Sequence, residues 1–230
     1  MMVRELANRT RPEHTVIRND LGSLGMNAHR PHSRALAPES VRTSRLLLRP
    51  WRAEDAPRLL PVLEANQSHL DSWIPRRVSE PAPLPALAAR LAGFGADFAA
   101  AREWRYALFT PDGGTVVGEV GLYPRDSHGR VPFAAADRVE IGYWLRADMT
   151  GRGLATEATE AVLAIASSLP TLGHAEIRCD ARNAPSAALP RRLGFALAET
   201  QEEPAAVAGD PPVVLQVWTH PLPRASVASV

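Results

Sequence analysis

Residues 140–166 read EIGYWLRADMTGRGLATEATEAVLAIA, and this stretch decides the fold. Its first six residues are mostly apolar or aromatic, which predicts a strand over residues 139–145. After the spacer RADMT, Gly151 and Gly153 flank Arg152 and precede apolar residues at helical spacing. That spacing predicts a helix over residues 154–168. A strand, a glycine-bearing turn and a helix therefore follow one another in the chain.

The turn between this strand and this helix has the features of a phosphate site. Gly151 and Gly153 lack Cβ atoms, so a ligand can lie close to backbone N–H groups. The first N–H groups of a helix have no partners within the helix, and the helix dipole is positive at that end. With Arg152 as an added charge, these groups predict a pyrophosphate cradle. The Gly-x-Gly pattern alone fits an ordinary turn before a helix equally well.

Two other phosphate-binding motifs share parts of this pattern. A Walker A loop requires Gly-Lys-Ser/Thr, and the chain contains no lysine. A Rossmann turn reads G-x-G-x-x-G, but Thr156 stands at the third glycine position. A nicotinamide-dependent oxidoreductase with Asp180 as its ribose-binding acid is therefore a weaker alternative. The five-residue spacer RADMT argues against the doubly wound sheet of such an enzyme, and so does the lack of regular strand–helix alternation in the rest of the chain.

The remaining elements predict an α+β architecture. A hairpin precedes the strand–helix–strand segment, so strands and helices do not alternate throughout. The hairpin joins residues 104–110 to residues 115–123 through the turn Pro-Asp-Gly-Gly. Asp55 stands where the N-cap of a helix belongs. The other predicted strands are residues 45–51, 175–181, 194–199 and 213–220, and the other predicted helices are a segment after Asp55 and residues 68–74, 87–98 and 187–193.

Composition narrows the class of protein. The chain has 230 residues, and its 26 basic residues, all arginine, nearly balance 25 acidic ones, which does not favour a nucleic-acid partner. One cysteine, Cys179, excludes an intrachain disulfide and a multi-cysteine metal site. No apolar stretch is long enough for a membrane span, so we expect a cytoplasmic protein without a membrane partner. We expect residues 1–40 to form a disordered extension, or to result from a start codon upstream of a working start nearer Met26. One domain is expected over residues 41–222 and a tail over residues 223–230.

Four motifs, in order, resemble one enzyme family. The sequence TGRGLATEA at residues 150–158 is similar to the coenzyme A motif, Gln/Arg-x-x-Gly-x-Gly/Ala, of GNAT N-acetyltransferases. Downstream, NAPS at residues 183–186 and LGF at residues 193–195 resemble the family's Asn-x-x-Ser and Leu-Gly-Phe. Upstream, SRLLLR at residues 44–49, with the strand at residues 140–145, is typical of the ribosomal-protein N-acetyltransferase (RimJ/RimL-like) branch. The resemblance covers about residues 42–222.

The resemblance implies the GNAT fold, a mixed, mostly antiparallel twisted sheet flanked by helices, with splayed central strands. The strands at residues 139–145 and 175–181 would separate, and the pantetheine arm of coenzyme A would lie between them. Thr150 stands where the motif prefers glutamine or arginine, so one donor to the phosphates is changed or missing. The implied coenzyme-binding residues are Trp144, Leu145 and Arg146 for the arm, Thr150, Gly151, Arg152, Gly153, Leu154 and Ala155 for the pyrophosphate, and Asn183 and Ser186 near the thioester. Ser186 would either touch the coenzyme or cap the helix that follows.

The resemblance also implies the reaction. The acetyl group of acetyl-CoA, a cosubstrate, would move to a primary amine by direct attack in a ternary complex, with no metal required. Glu140 is the candidate general base. Pro190 stands where many GNAT enzymes carry the tyrosine that protonates the thiolate, so this role falls to Ser186 or to water. A non-catalytic, acyl-CoA-binding GNAT-fold protein is the alternative.

The acceptor amine is not specified by the sequence. A protein N-terminus, an aminoglycoside and a polyamine all fit, and a homodimer is compatible with the chain. Trp73 and Tyr123 lie in variable segments and are candidate acceptor-binding residues, although Trp73 also suits a core position. Glu80 is a candidate contact for a cationic amine.

Overall fold

An eight-stranded sheet forms the centre of the structure, a computed structural model that describes residues 37–203 and 212–223. The strands are β1 (Val41–Arg42), β2 (Leu47–Pro50), β3 (Trp104–Phe109), β4 (Val116–Arg125), β5 (Arg138–Leu145), β6 (His174–Asp180), β7 (Ala196–Glu203) and β8 (Val213–Pro221). They lie in the order β1-β2-β3-β4-β5-β6-β8-β7. The β5–β6 pair is parallel and the other strand pairs are antiparallel, which confirms the predicted mixed, mostly antiparallel sheet.

Helices cover both faces of this sheet. They are α1 (Ala56–Leu70), α2 (Arg76–Ser79), α3 (Leu84–Ala99), α4 (Leu154–Ser168) and α5 (Ala184–Arg192). On one face, apolar residues of α1 and α3 pack with Ala107 and Phe109 of β3. On the other face, the apolar stripe of α4 packs with Leu108 and Val120. Because adjacent residues of β3 point to opposite faces, one strand serves both layers of core.

The first helical region differs from the prediction. The separate helix expected over residues 68–74 is wrong, because α1 continues to Leu70 and the chain turns before Pro75 starts α2. Asp55 precedes α1 but makes no capping hydrogen bond to it. Its buried carboxylate instead accepts hydrogen bonds from the Arg49 side chain at 2.6 and 2.7 Å. Asp55 therefore ties β2 to the start of the helical layer.

The predicted extension and tail fall mostly outside the described residues. In the part of the extension that the structure describes, Ala37 is buried, and the carbonyl of Pro38 accepts a hydrogen bond from the Tyr106 hydroxyl at 2.8 Å. Ordered packing against the sheet thus includes residues just before β1. Across residues 37–203 and 212–223, none of the helices has the length and apolar character that crossing a membrane demands.

Candidate active site

The parallel strands β5 and β6 form a fork. They pair only at Arg138 with His174, Val139 with Ala175 and Glu140 with Glu176. Beyond these pairs β6 stays bonded to β8 as far as Asp180, while β5 stays bonded to β4 as far as Leu145. The central strands are therefore splayed, as predicted, and backbone groups facing the gap lack a strand partner.

A glycine on β4 allows the end of β5 to lie close against β4. A Cβ atom on Gly118 would lie 2.1 Å from the carbonyl oxygen of Trp144, closer than any side chain allows. The amide of Arg146 also donates to the carbonyl of Val117 at 3.0 Å. Because the N–H groups of a strand alternate between its two sides, the amide of Leu145 faces the gap and that of Arg146 does not. Arg146 therefore has no free amide for a pantetheine arm, and the amide that faces the gap is that of Leu145.

A cavity of about 360 Å³ occupies the fork. Residues from both faces of β5, such as Glu140 and Tyr143, line it, so the cavity extends through the gap from one face of the sheet to the other. Among the predicted site residues, the cavity is lined by Trp73, Tyr123, Glu140, Trp144, Asn183 and Ser186.

A buried ionic cluster forms the β4 side of the cavity. Glu119 accepts a hydrogen bond from Trp51 Nε1 at 2.6 Å and one from Arg105 Nη1 at 2.9 Å. The ring of Tyr123 lies against Gly121, where a Cβ atom would come within 2.6 Å of the phenolic oxygen. Burial, followed by the nearby Glu119 carboxylate, raises the pKa of Tyr123 well above its usual range. Tyr123 therefore faces the cavity as a neutral phenol.

Glu140 lies at the last paired position before the fork opens. Its carboxylate accepts a hydrogen bond from Arg125 Nη1 at 2.5 Å and lies 3.5 Å from Arg130 Nη2. Its side chain is 16% exposed, so a small acceptor in the cavity can reach it. Glu140 thus lines the cavity at the opening of the fork and is held in an ion pair.

Two hydroxyl groups meet across the gap. Tyr143 on β5 lies 3.1 Å from the Ser186 hydroxyl at the start of α5. Burial raises the pKa of Tyr143 to about 12, so the phenol is protonated at neutral pH. Burial also raises the pKa of the neighbouring Cys179 thiol, although hydrogen bonds with Ser186 and Trp218 oppose this. The N-cap of α5 is Asn183, whose side-chain oxygen accepts from the Ser186 amide at 3.1 Å, so Ser186 is not the cap.

The predicted cradle begins α4. Gly151 and Gly153 have φ values of 72° and 77°, a left-handed conformation that favours glycine. The first backbone bond of the helix runs from the Glu157 amide to the Gly153 carbonyl, which leaves the earlier amides, including those of Leu154 and Ala155, without helical partners. A Cβ atom on Gly151 would meet nothing within 4 Å, so open space lies beside the turn. The Thr150 hydroxyl donates to the Ala147 carbonyl at 2.7 Å and is not directed to a ligand.

Comparison with known families identifies the chain at this point. The model of the acetyltransferase (GNAT) domain matches residues 45–196. The chain belongs to this family. It is an acetyltransferase of the GNAT fold, and the forked strands and the glycine turn before α4 are where the motif resemblance placed them. No curated protein sequence matches the chain significantly.

Solved structures show the same fold at low sequence identity. The RimL ribosomal L7/L12 α-N-protein acetyltransferase with coenzyme A bound has a TM-score of 0.66 and 18% identity, over 80% of this chain and 98% of that one. The microcin C7 self-immunity acetyltransferase MccE, bound to acetyl-CoA and AMP, has a TM-score of 0.67 and 16% identity, over 82% and 99%. RimJ of Mycobacterium smegmatis in complex with CoA-disulfide has a TM-score of 0.62 and 24% identity, over 76% and 81%.

Two cations beside the GNAT cradle were not predicted. Arg45 donates to the Arg152 carbonyl at 2.7 Å and to the Glu157 carboxylate at 2.6 Å. Arg192 Nη1 donates to the Thr156 hydroxyl at 3.1 Å. Both come from distant parts of the chain, so local sequence patterns contain no signal for them. Together with Arg152 they place three guanidinium groups around the N-terminus of α4.

Glu157 is the negative partner in this region. Burial opposes its ionisation, but hydrogen bonds from Thr43, Ser44 and both the backbone and the side chain of Arg45 outweigh it and lower the pKa of Glu157 to about 2. The carboxylate therefore stays charged at neutral pH and fixes Arg45 beside the cradle.

Most of the chain from Ser72 to Val78, which includes the start of α2, lines one side of the cavity. Trp73 is 41% exposed and lines the cavity, which excludes the core position that its sequence also allowed. Glu80 pairs with Arg76 at 2.7 Å and does not line the cavity, so the geometry gives no support to the suggested contact with a cationic amine. Within residues 37–203 and 212–223, no three histidine, cysteine, aspartate or glutamate side chains cluster in a way that could hold a metal ion.

Proposed function

We propose that this GNAT protein transfers the acetyl group of acetyl-CoA to a primary amine by direct attack in a ternary complex. The fork between β5 and β6 carries the proposal, because its cavity reaches both faces of the sheet. The arm of the coenzyme enters from one face and the amine from the other, and the two meet in the gap. The coenzyme A and acetyl-CoA bound to RimL and MccE support this cosubstrate.

The coenzyme is held by main-chain groups and arginines. The amides from Gly151 to Ala155 and the guanidinium of Arg152 bind the pyrophosphate, as anions bind at other helix N-termini. Thr150 contributes through its backbone, because its hydroxyl is already engaged. The arm lies along Trp144 and Leu145. The side-chain N–H₂ group of Asn183 binds it, since the oxygen of Asn183 caps α5.

Attack requires a neutral amine, because an ammonium has no lone pair. Glu140, at the fork, accepts the proton directly or through a water molecule. The main-chain N–H of Leu145, which faces the gap, holds the oxyanion, and one such preorganised donor contributes about 3 kcal/mol. Ser186, whose hydroxyl is hydrogen-bonded to Tyr143, or a water molecule gives a proton to the departing thiolate, and solvent replaces that proton.

The acceptor binds between α2 and the sheet. The exposed ring of Trp73 forms the outer wall and the buried ring of Tyr123 the inner one. The amine is a protein N-terminus or a small molecule. Both fit a cavity of this size, which lies in the usual range for ligand sites.

The test is a thiol-release assay with acetyl-CoA and a panel of amines, with mass detection of the product. The panel contains N-terminal peptides of ribosomal proteins, aminoglycosides and polyamines. We expect thiol release that depends on one class of amine, with a mass increase of one acetyl group on it. Coenzyme binding by calorimetry, without thiol release for any amine, would favour the non-catalytic alternative.

A further inference from the structure

The fork cavity has more cationic than anionic side chains on its walls. Five arginines and three carboxylates line it. The arginines are Arg77, Arg105, Arg130, Arg178 and Arg182, and the carboxylates are Glu119, Glu140 and Asp180. A cavity that must admit an amine is therefore short of negative charge.

Each of the three carboxylates already has a close cationic partner. The pairs are Glu119 with Arg105 at 2.9 Å, Glu140 with Arg125 at 2.5 Å and Asp180 with Arg182 at 2.5 Å. These distances are those of charge-assisted hydrogen bonds. The carboxylates consequently have little remaining capacity to attract a second cation, such as a polyamine.

Three of the arginines lack a close carboxylate partner. Arg130 stacks over the Tyr123 ring, 4.0 Å from its centroid, but lies 3.5 Å from Glu140 and 3.7 Å from Glu103, beyond the usual length of a strong hydrogen bond. Arg178 lies 3.7 Å from the nearest carboxylate and donates to the neutral Gln201 at 3.0 Å. Arg77 is exposed at the mouth, and among the described residues it has no hydrogen-bond or ion-pair partner. These guanidinium groups retain donors for a ligand.

The phosphates of the coenzyme do not account for this surplus. The arginines around the N-terminus of α4 are Arg45, Arg152 and Arg192, and none of them lines the cavity. Trp144, which lines the cavity, contributes a further unpaired donor, because its buried indole N–H has no partner among the described residues. The unsatisfied groups of the cavity are thus donors, and they point to an anion on the acceptor.

We infer that the acceptor amine carries a carboxylate or phosphate on the same molecule, which Arg77 binds at the mouth of the cavity and Arg130 and Arg178 bind inside it. The inference rests on the proposed function, since it describes the acceptor of that reaction. It excludes polyamines and aminoglycosides, because a polycation would be repelled by these arginines. The same cations favour the neutral form of the attacking amine.

The experiment compares matched acceptors with the full-length protein and acetyl-CoA. Three peptides share an N-terminal serine and continue with aspartates, alanines or lysines, and spermidine is the polycation. Free aspartate and O-phosphoserine test for a small-molecule source of the anion. We expect kcat/KM for the aspartate peptide to exceed that for the lysine peptide by about tenfold or more, and to fall as salt is added. Transfer to the free amino acids but not to the peptides would assign the anion to a small molecule.

Arg77 and its neighbour Arg76 provide a matched pair of variants. Both are exposed on α2, but Arg76 pairs with Glu80 and does not line the cavity. Arg77→Glu should reduce or reverse the preference for the aspartate peptide, and Arg76→Glu should leave it unchanged. Equal behaviour of the two variants, or a wild-type preference for the lysine peptide or spermidine, would overturn the inference. Absence of transfer to any amine, with coenzyme still bound, would instead overturn the proposed function.

Discussion

The hydroxyl of Tyr143 lies 3.1 Å from the hydroxyl of Ser186 and joins β5 to α5 across the gap of the fork. In the proposed reaction Tyr143 acts through Ser186, as a positioning residue. We expect Ser186→Ala to lower kcat by about tenfold, less than a general acid usually contributes, because a thiolate leaves tolerably without a strong acid. Tyr143→Phe keeps the ring and should cause a smaller loss, with KM for acetyl-CoA unchanged.

The double variant Tyr143→Phe/Ser186→Ala tests whether Tyr143 acts through Ser186 or independently of it. If Tyr143 acts only through Ser186, the double variant should be no slower than Ser186→Ala alone. Steady-state kinetics of the four proteins at saturating acetyl-CoA measures this. Losses that multiply would show that the two hydroxyls act independently.

The glycine turn before α4 predicts a loss of coenzyme binding on substitution. Gly153→Glu places a negative charge and added bulk among the amides proposed to hold the pyrophosphate, and we expect coenzyme affinity to fall at least about a hundredfold. Gly113→Glu is the control, because Gly113 also has a positive φ, 73°, but lies in the hairpin turn. Both variants should lose some stability from backbone strain. Calorimetry with coenzyme A should find binding lost only in Gly153→Glu, and unchanged affinity in that variant would rule out the assigned cradle.

Glu140→Gln tests the general base. Removal of a general base typically costs about a hundredfold or more in rate, so kcat/KM should fall by at least that factor at neutral pH. Glu103→Gln is the control, since Glu103 also pairs with arginines of this region but does not line the fork cavity. If both variants lose activity equally, Glu140 serves only to hold Arg125 and Arg130. Thermal melting of both variants checks that the fold is retained.

The lowered pKa of Glu157 makes the stability of the fold depend on pH in the acid range. Its pKa is about 2 in the folded chain against an ordinary 4.5, so its stabilisation is complete above about pH 4.5 and is lost as the pH falls towards 2. At neutral pH the ionised Glu157 side chain contributes up to about 3 kcal/mol to the free energy of unfolding. Denaturant unfolding should therefore find Glu157→Gln less stable than wild type at pH 7 and equal to it near pH 2. Glu160→Gln, an exposed control on the same helix, should show no such difference.

Local sequence predicted the parts of the site that are contiguous in the chain. The strand, the glycine turn and α4 depend on hydrophobic spacing and on two glycines separated by one residue, and both signals lie within a short stretch of sequence. The position of Glu140 at the fork followed from the resemblance to GNAT enzymes. The two observed positive φ values give the physical reason why glycine stands at residues 151 and 153.

The rest depends on contacts between distant segments. Arg45 meets Glu157 across 112 residues, and Arg192 meets Thr156 across 36, distances at which single-sequence patterns contain no information. Helical spacing also does not define where α1 ends, because Leu70 fits either helix and only the packing of α1 decides between them. The pairing of Tyr143 with Ser186 exists only because the strands separate, a property of the sheet and not of either segment.

The most direct test is the structure of the protein crystallised with coenzyme A. We predict the pyrophosphate at the amides of residues 151–155 and the pantetheine arm between β5 and β6, its sulfur beside Ser186. Coenzyme bound at another position, or β5 and β6 hydrogen-bonded along their whole length, would contradict the assignment of the fork as the place where acetyl transfer occurs.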